Sequence, residues 1–270
     1  MICFPNAKIN LGLNVLSRRT DGYHNIETIF YPIPLSDVLE ITEAAAFSFS
    51  QTGIIINNAD TESNLAIKAM RLLSTFNLPP LDVHLLKAIP FGAGLGGGSS
   101  DAAFMLKLLN NFGQLHLSVE HLEKLAAKLG ADCPFFIRNV PACGTGTGNI
   151  LTPIQLSLKG YYLVLVKPPV SVPTAQAYAG INPKQPAISP QDAIRLPITE
   201  WRHHLTNDFE ETIFALHPEI ADVKERLYKS GALYAAMSGS GSAVFALFDR
   251  PVRLEEQFAG YFYWHGLLTL

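Results

Sequence analysis

Between Pro90 and Ser100 the chain reads Pro90-Phe91-Gly92-Ala93-Gly94-Leu95-Gly96-Gly97-Gly98-Ser99-Ser100, with five glycines among the seven positions 92–98. A backbone this short of β-carbons can approach a bulky ligand closely and turn several N–H groups toward it. A helical pattern over Ala102–Phe112 follows directly and adds the positive end of its dipole and its unpaired first-turn amides. Ser99 and Ser100 are expected to cap that helix, with Asp101 favourable in its first turn. The chemistry is that of an anion cradle, with phosphate as its natural occupant.

Other glycine-rich patterns fit less well. Gly92, Gly94 and Gly97 satisfy G-x-G-x-x-G, but the dinucleotide fingerprint needs a strand ending in an acidic residue downstream, and His116–Leu129 reads as a second helix. A Walker A loop needs Lys followed by Ser or Thr after its last glycine, whereas Gly98 is followed by Ser99. A mere flexible turn is the remaining alternative, yet paired serines before a well-patterned helix are uncommon in a connector.

The elements that must position this loop can be read from periodicity. Ala7–Ser17 alternates as a strand with Ile9, Leu11, Leu13 and Val15 on one side; Asp21-Gly22 marks a turn, and Ile26–Ile33 resumes an extended pattern, giving a hairpin. Residues 38–57 supply further β-like material. Asn64–Phe76 has helical spacing, and Leu81–Ala88 is a strand leading into the glycine loop. Gly113 should close the Ala102–Phe112 helix, and Ser118–Leu129 is amphipathic with Gly130 as its C-cap. Further on come a strand at Tyr161–Lys167, a long proline-rich surface connection over 180–198, a helix around Ile220–Tyr228, and a strand at Ala243–Phe248. Ser238–Ser242 is expected to form a tight loop between two C-terminal strands. The arrangement is α+β, with a domain boundary near residue 155.

Composition bounds the function. The 270 residues, 48% hydrophobic and 16% charged, suffice for one or two domains with a proper core. Neither a membrane-spanning run nor a basic-then-apolar leader is visible, so the chain is expected to be cytoplasmic and to have no membrane partner. Cys3, Cys133 and Cys143 lack CxxC spacing and cannot all pair, which suits a reducing compartment and argues against metal binding by them. A net charge of −3 argues against nucleic acid as a partner, and an anionic substrate must be met by a local basic cluster.

Three separated blocks together carry a resemblance: Ala-Lys-Ile-Asn-Leu at 7–11 with Asp-Gly-Tyr-His at 21–24, the glycine loop at 90–100, and Met-Ser-Gly-Ser-Gly-Ser at 237–242. Gly-Ala-Asp-Cys-Pro at 130–134 and Val-Pro-Thr at 172–174 extend it nearly end to end. The chain resembles the GHMP kinase family, with small departures at Asn6, Ser17 and Thr20 that touch turn stiffness and not the reacting groups. The resemblance implies a two-domain fold. An N-terminal α/β domain of ribosomal protein S5 domain 2-like topology (1–155, ATP binding and catalysis) precedes a C-terminal ferredoxin-like α+β domain (156–270, substrate binding), with the active site between them. It further implies transfer of the ATP γ-phosphoryl group, with Mg²⁺, to the 2-hydroxyl of a cytidine-diphosphate-linked methylerythritol of the non-mevalonate isoprenoid route.

On that resemblance Asp132 matches the general base and Lys8 its electrostatic partner, holding the carboxylate ionised and neutralising charge on the transferring group. Read alone, Asp132 is a turn residue and Lys8 a solvated strand lysine. The loop from Pro90 to Ser100 is expected to hold ATP, with Asn64 and Lys87 nearby, although Asn64 serves equally as a helix-start residue. Tyr23 and Tyr178 match the rings that sandwich a cytosine, His24 the residue that hydrogen-bonds the base, and Asn10 and Thr174 further substrate contacts. No carboxylate cage for Mg²⁺ is visible. Asp101 is a candidate ligand but fits a helix-start role better. The chain is expected to act as a monomer or weak homodimer. Three alternatives stay open from sequence: a kinase of the same superfamily acting on a sugar, homoserine or a mevalonate derivative, a silent ligand-binding protein on the same fold, and an RNA-binding protein.

Overall fold

Alternating apolar residues along the N-terminal stretch become strands in the structure, a computed structural model that describes residues 1–54 and 61–269. They are β1 (Ile2–Cys3), β2 (Asn6–Arg18), β3 (His24–Ser36), β4 (Val38–Glu43) and β5 (Ser48–Gly53). Of the β material predicted over 38–57, residues 55–57 lie outside the described residues. Then follow α1 (Leu65–Leu72), β6 (Leu81–Lys87), α2 (Gly97–Phe112), α3 (Val119–Ala127), α4 (Phe135–Arg138), β7 (Ala142–Thr145) and β8 (Ile150–Pro153). The C-terminal part contains β9 (Tyr162–Lys167), α5 (Thr174–Ala179), α6 (Pro190–Ala193), α7 (Trp201–His204), α8 (Phe209–Leu216) and α9 (Pro218–Lys229). It ends with β10 (Tyr234–Met237), β11 (Val244–Phe248) and β12 (Phe262–Leu267).

The chain divides into two discontinuous units, Met1–Ala7 with Leu35–Phe91 and Gly96–Val140, and Lys8–Pro34 with Gly92–Leu95 and Pro141–Leu270. These interleave along the sequence, whereas the expected boundary near residue 155 is a single cut. In the first unit the sheet order is β1-β4-β6-β5, with β4 antiparallel and β5 parallel to β6. Strand alternation on β6 buries Leu81, Val83 and Leu85 and, two residues on, Lys87. Helix α2 buries Ala102, Ala103, Met105, Leu106 and Leu109, and Gly113 closes it as expected. Asn64 caps α1 by accepting from Ala66 N at 2.9 Å.

One expectation fails here. Helix α2 starts at Gly97, not Ala102, behind Gly96 in the left-handed region at φ 71°, and no side chain caps it. Ser99 and Ser100 therefore lie inside its first turn, and Asp101 faces a buried cation instead of the helix end. That pairing, described below, and the packing of the helix outweigh the poor helix propensity of Gly97 and Gly98.

The second unit holds two sheets. One has the order β2-β3-β7-β8, with Thr28, Ile29 and Phe30 opposite Gly144, Cys143 and Ala142. The other has the order β10-β11-β9-β12, antiparallel throughout, which is the ferredoxin-like arrangement. Its second helical crossover is reduced to a 3-10 turn at Glu255–Phe258. Val164, Val166, Met237, Val244 and Phe248 pack beneath Phe209, Ile213, Ile220, Val223 and Leu227 of α8 and α9. The connection over 180–198 is not wholly surface: α6 lies within it, capped by Ser189, with Pro190 and Ala193 buried. No helix among the described residues is long and apolar enough to cross a membrane.

Candidate active site

Because Lys87 shares the inward face of β6, its ammonium lands in the interior, where an unpaired charge is prohibitively expensive. Two carboxylates answer it. Lys87 Nζ donates to Asp37 and, at 2.6 Å, to Asp101 Oδ2 on the first turns of α2. Burial works against the ammonium, but the two carboxylates outweigh it and raise the Lys87 pKa. Burial likewise pushes the Asp101 carboxyl up to about 7, only partly offset by Lys87 and reinforced by the neighbouring charge of Asp37. Asp37 Oδ1 also accepts from Ala88 N at 2.6 Å and Ile89 N at 2.8 Å. The triad thus ties the start of the glycine segment to the helix at its end.

On α2 the intrahelical ladder begins with Ser100 N donating to Gly96 O at 2.8 Å, so the amides of Gly97, Gly98 and Ser99 have no carbonyl of their own helix to bond. Ser100 Oγ and Asp101 Oδ1 are buried without a hydrogen-bond partner among the described residues. Ser99 bonds the thiol of Cys133, which brings the turn carrying Asp132 beside this first turn. Asp132 is half-buried on that turn between α3 and α4. Cys133 is fully buried, and desolvation raises its thiol to about 11, so it is no nucleophile.

In the second unit, Lys8 on β2 is 3% exposed, and its ammonium lies 5.2 Å from the centre of the Phe30 ring. Lys8 Nζ donates to Asn10 Oδ1 at 2.6 Å, Asn10 Nδ2 donates to Thr28 Oγ1 at 3.0 Å, and the Thr28 hydroxyl donates to Gly12 O. The direction of this relay is forced. The Gly12 carbonyl only accepts, so Thr28 gives its proton there, takes one from the Asn10 amide, and leaves the amide oxygen for Lys8.

Residues 92–95 are held from two sides within the same unit. Lys8 N donates to Leu95 O at 3.0 Å, while Ala243 N donates to Ala93 O at 3.2 Å and Ser238 Oγ to Gly94 O at 2.9 Å. The loop between β10 and β11 supplies the latter contacts. The glycines accordingly differ in purpose. A β-carbon on Gly94 would lie 1.8 Å from Ser238 O, and one on Gly97 2.9 Å from the Ile89 side chain, so these two admit protein. Among the described residues, nothing lies within 4 Å of a β-carbon at Gly92, and at Gly98 the one neighbour is Leu65 at 3.7 Å, so these two leave open space there.

The expected base-binding rings also lie in this unit. Tyr178 stacks on His24 with centroids 4.8 Å apart and an 18° interplanar angle, and meets Phe209 edge-on at 4.8 Å. Tyr23, on the hairpin turn, is exposed. Thr174 Oγ1 lies 3.3 Å from Ser240 Oγ.

Comparison with known proteins fits these motifs. The N-terminal domain model of the GHMP kinases matches residues 64–146 and the C-terminal model residues 193–262. A 4-diphosphocytidyl-2-C-methyl-D-erythritol kinase of Parabacteroides distasonis is 58% identical over 272 aligned residues, all of both chains. The chain belongs to the GHMP kinase family. A Bacteroides fragilis relative bearing the same enzyme name is 56% identical across 92% of each chain. The crystal structure of a 4-(cytidine 5'-diphospho)-2C-methyl-D-erythritol kinase superposes with a TM-score of 0.85 at 34% identity, covering 100% of this chain and 99% of that one. The Methanococcus jannaschii mevalonate kinase, at a TM-score of 0.69 and 16% identity, shares the GHMP kinase fold.

Set in this GHMP kinase, the expected residues fall into two groups. Asn64, Lys87, Gly96–Ser100 and Asp132 lie in the first unit; Lys8, Asn10, Tyr23, His24, residues 92–95, Thr174 and Tyr178 lie in the second. Pro90 is buried and Phe91 exposed at the end of the first unit's segment. Two roles look different in place. Asn10 has its amide engaged by Thr28 and Lys8, and Lys87 has its charge engaged by Asp37 and Asp101. Thr28, Asp37 and Asn207 escaped the reading from sequence because their partners lie far along the chain. Asn207 is the most distant in kind, since Asn-Asp before a helix reads as an ordinary cap.

Proposed function

We propose that the chain transfers the γ-phosphoryl group of ATP to the 2-hydroxyl of 4-diphosphocytidyl-2-C-methyl-D-erythritol, a step of the non-mevalonate route to isoprenoids. The full-length likeness to relatives of that name carries the reading. Residues 1–155 serve as the ATP-binding and catalytic half and 156–270 as the substrate half, and one chain, as monomer or weak homodimer, contains every motif required.

In this reading the unpaired amides at the start of α2, with Gly92 and Gly98 leaving space beside them, hold the ATP phosphates. Phosphoryl transfer then depends on alignment and on charge placed around the moving group. Asp132 accepts the proton of the substrate hydroxyl as the oxygen attacks. Lys8, aimed by Asn10 and Thr28, supplies fixed positive charge in a buried setting where reorganisation is small. Tyr178 and Tyr23 offer faces to the cytosine and His24 hydrogen-bonds its edge, with Thr174 as a further contact.

Mg²⁺ fits this chain as an ion carried on the triphosphate. No group of three or more His, Cys, Asp or Glu side chains arranged for a metal occurs among the described residues, whereas the buried, unpartnered Ser100 Oγ is a suitable oxygen ligand. The ion would be held there by the Ser100 hydroxyl and the triphosphate, and would supply positive charge that lowers the repulsion among the phosphates. The test is incubation with ATP, Mg²⁺ and the cytidyl substrate, with ADP release followed and the product read by phosphorus NMR. A monoester at the 2-position supports the reading. No transfer, or transfer to another oxygen, defeats it.

A further inference from the structure

Asn207 precedes α8 and looks like part of a cap, yet its side chain serves a loop thirty residues away. Its Nδ2 donates to Met237 O and to Gly239 O, each at 2.8 Å, and its Oδ1 accepts from Phe209 N at 3.0 Å. Both amide protons and the carbonyl oxygen are used, and the residue is 4% exposed. Aspartate has the same shape but no protons to give, and would set a negative charge against two carbonyl oxygens.

The strand carrying Lys8 is gripped by the same segment. Leu13 N donates to Thr206 O and Asp208 N to Leu13 O, each at 2.8 Å, while Asp208 Oδ2 accepts from Val15 N at 2.8 Å. Asp208 stands at the N-cap of α8 without capping it, because its carboxylate is spent on β2. The loop that Asn207 holds leaves no slack against residues 92–95. A β-carbon on Gly239 would lie 3.3 Å from Gly94 Cα and 3.4 Å from Asn10 Oδ1, and Ser238 O fills the place of a Gly94 side chain. A shift of this loop therefore moves residues 92–95 and, through the Lys8 N to Leu95 O bond, the backbone of Lys8.

We infer that Asn207 is a positioning residue for phosphoryl transfer, fixing the Ser238–Ser242 loop so that residues 92–95 and Lys8 keep their register. It acts through that loop and touches neither substrate. The inference deepens the kinase reading and rests on it for its kinetic part.

The test compares wild type with N207D and with V223A, which empties part of the α9 core and takes no hydrogen-bonding group from the loop. In N207D kcat is expected to fall by about tenfold or more, with KM for the cytidyl acceptor within about threefold, as for a group that affects the transition state through geometry. V223A, at an equal or larger fall in Tm, should keep kcat within about twofold. In nitrogen–proton spectra the Gly94 and Leu95 amides should shift in N207D and stay in place in V223A. Equal kcat losses at matched Tm, or unmoved 92–95 amides in N207D, overturn the inference. If N207D does not fold, N207S, which keeps a hydroxyl donor, is read against the same two criteria. Should wild type transfer no phosphate, the kinase reading falls, and the amide shifts alone then decide the coupling of Asn207 to 92–95.

Discussion

In the proposed mechanism the charge of Lys8 is useful only while its ammonium is aimed, and its hydrogen bonds lead through Asn10 to Thr28, two side chains away. Thr28→Val keeps the shape and removes the hydroxyl, so the Asn10 amide loses the acceptor that fixes its orientation. We expect kcat to drop by roughly tenfold and stability by about 1–3 kcal/mol, the penalty of one buried unsatisfied donor. Steady-state kinetics and a thermal melt check it, and an unchanged kcat would show that the relay is idle. Asp101 offers a second test at this scale. Its carboxyl rests near 7 in the fold against an ordinary value of 3.8, so between those pH values the folded chain keeps a proton that the unfolded chain has lost. The resulting stabilisation is complete below about 4 and disappears as pH rises through about 7. The Tm advantage of wild type over Asp101→Asn should therefore shrink from pH 5 to pH 8, with Lys87 and Asp37 unchanged in both; parallel curves would contradict this. The sequence singles out Lys8 through its motif, whereas Thr28 and Asp37 carry no such signal. Nothing local distinguishes a threonine on a strand from one that orients an amide eighteen residues away, as Thr28 does for Asn10.

Elements make the glycine loop less uniform than its composition suggests. From sequence, all five glycines served one purpose, the close approach of a ligand. In the fold, Gly94 and Gly97 yield space to Ser238 and Ile89, a fact that depends on contacts formed only when the chain closes. Helix α2 shows the same limit, since local propensity delayed its start to Ala102 while tertiary packing extended it to Gly97. The strands of the β2–β3 hairpin, by contrast, were plain from alternation and from Asp21-Gly22, because both signals are local. Three alanine substitutions separate the roles. Gly94→Ala meets Ser238 O at 1.8 Å and φ +74°, and should destabilise the protein by about 3 kcal/mol or more. Gly92→Ala meets no atom of the described residues within 4 Å, so its cost is that of its positive φ, about 1–2 kcal/mol. Gly98→Ala has helical geometry and room, so the helix gains up to about 1 kcal/mol while ATP binding weakens. Melts paired with the ATP KM decide the matter, and a Gly98→Ala protein that is more stable with an unaltered KM would remove that face from the nucleotide site.

At the scale of the molecule, the fold leaves the acceptor open. Homoserine and mevalonate kinases share this architecture at TM-scores of 0.65 and 0.69 with 19% and 16% identity, so selectivity must reside in side chains the architecture does not dictate. The global field gives little help, because a net charge of −3 repels ATP and a diphosphate-bearing acceptor alike. On the proposed reading, recognition of the acceptor comes from local, largely uncharged contacts at its base, with Tyr23 and Tyr178 as the ring pair and His24, stacked on Tyr178, at the base edge. Phe209 meets that tyrosine edge-on and restricts its tilt, so the platform is set before any base arrives. Removing a face should weaken acceptor binding and spare the nucleotide: Tyr178→Ala is expected to raise the acceptor KM by about tenfold or more, with the ATP KM within about twofold, since a stacked base contributes about 1–3 kcal/mol. Wild type should release ADP with the cytidyl acceptor and not measurably with homoserine or mevalonate. Equal KM changes for both substrates in Tyr178→Ala would move the base elsewhere, and comparable turnover of mevalonate would mean that this GHMP kinase selects its acceptor by something other than the ring pair.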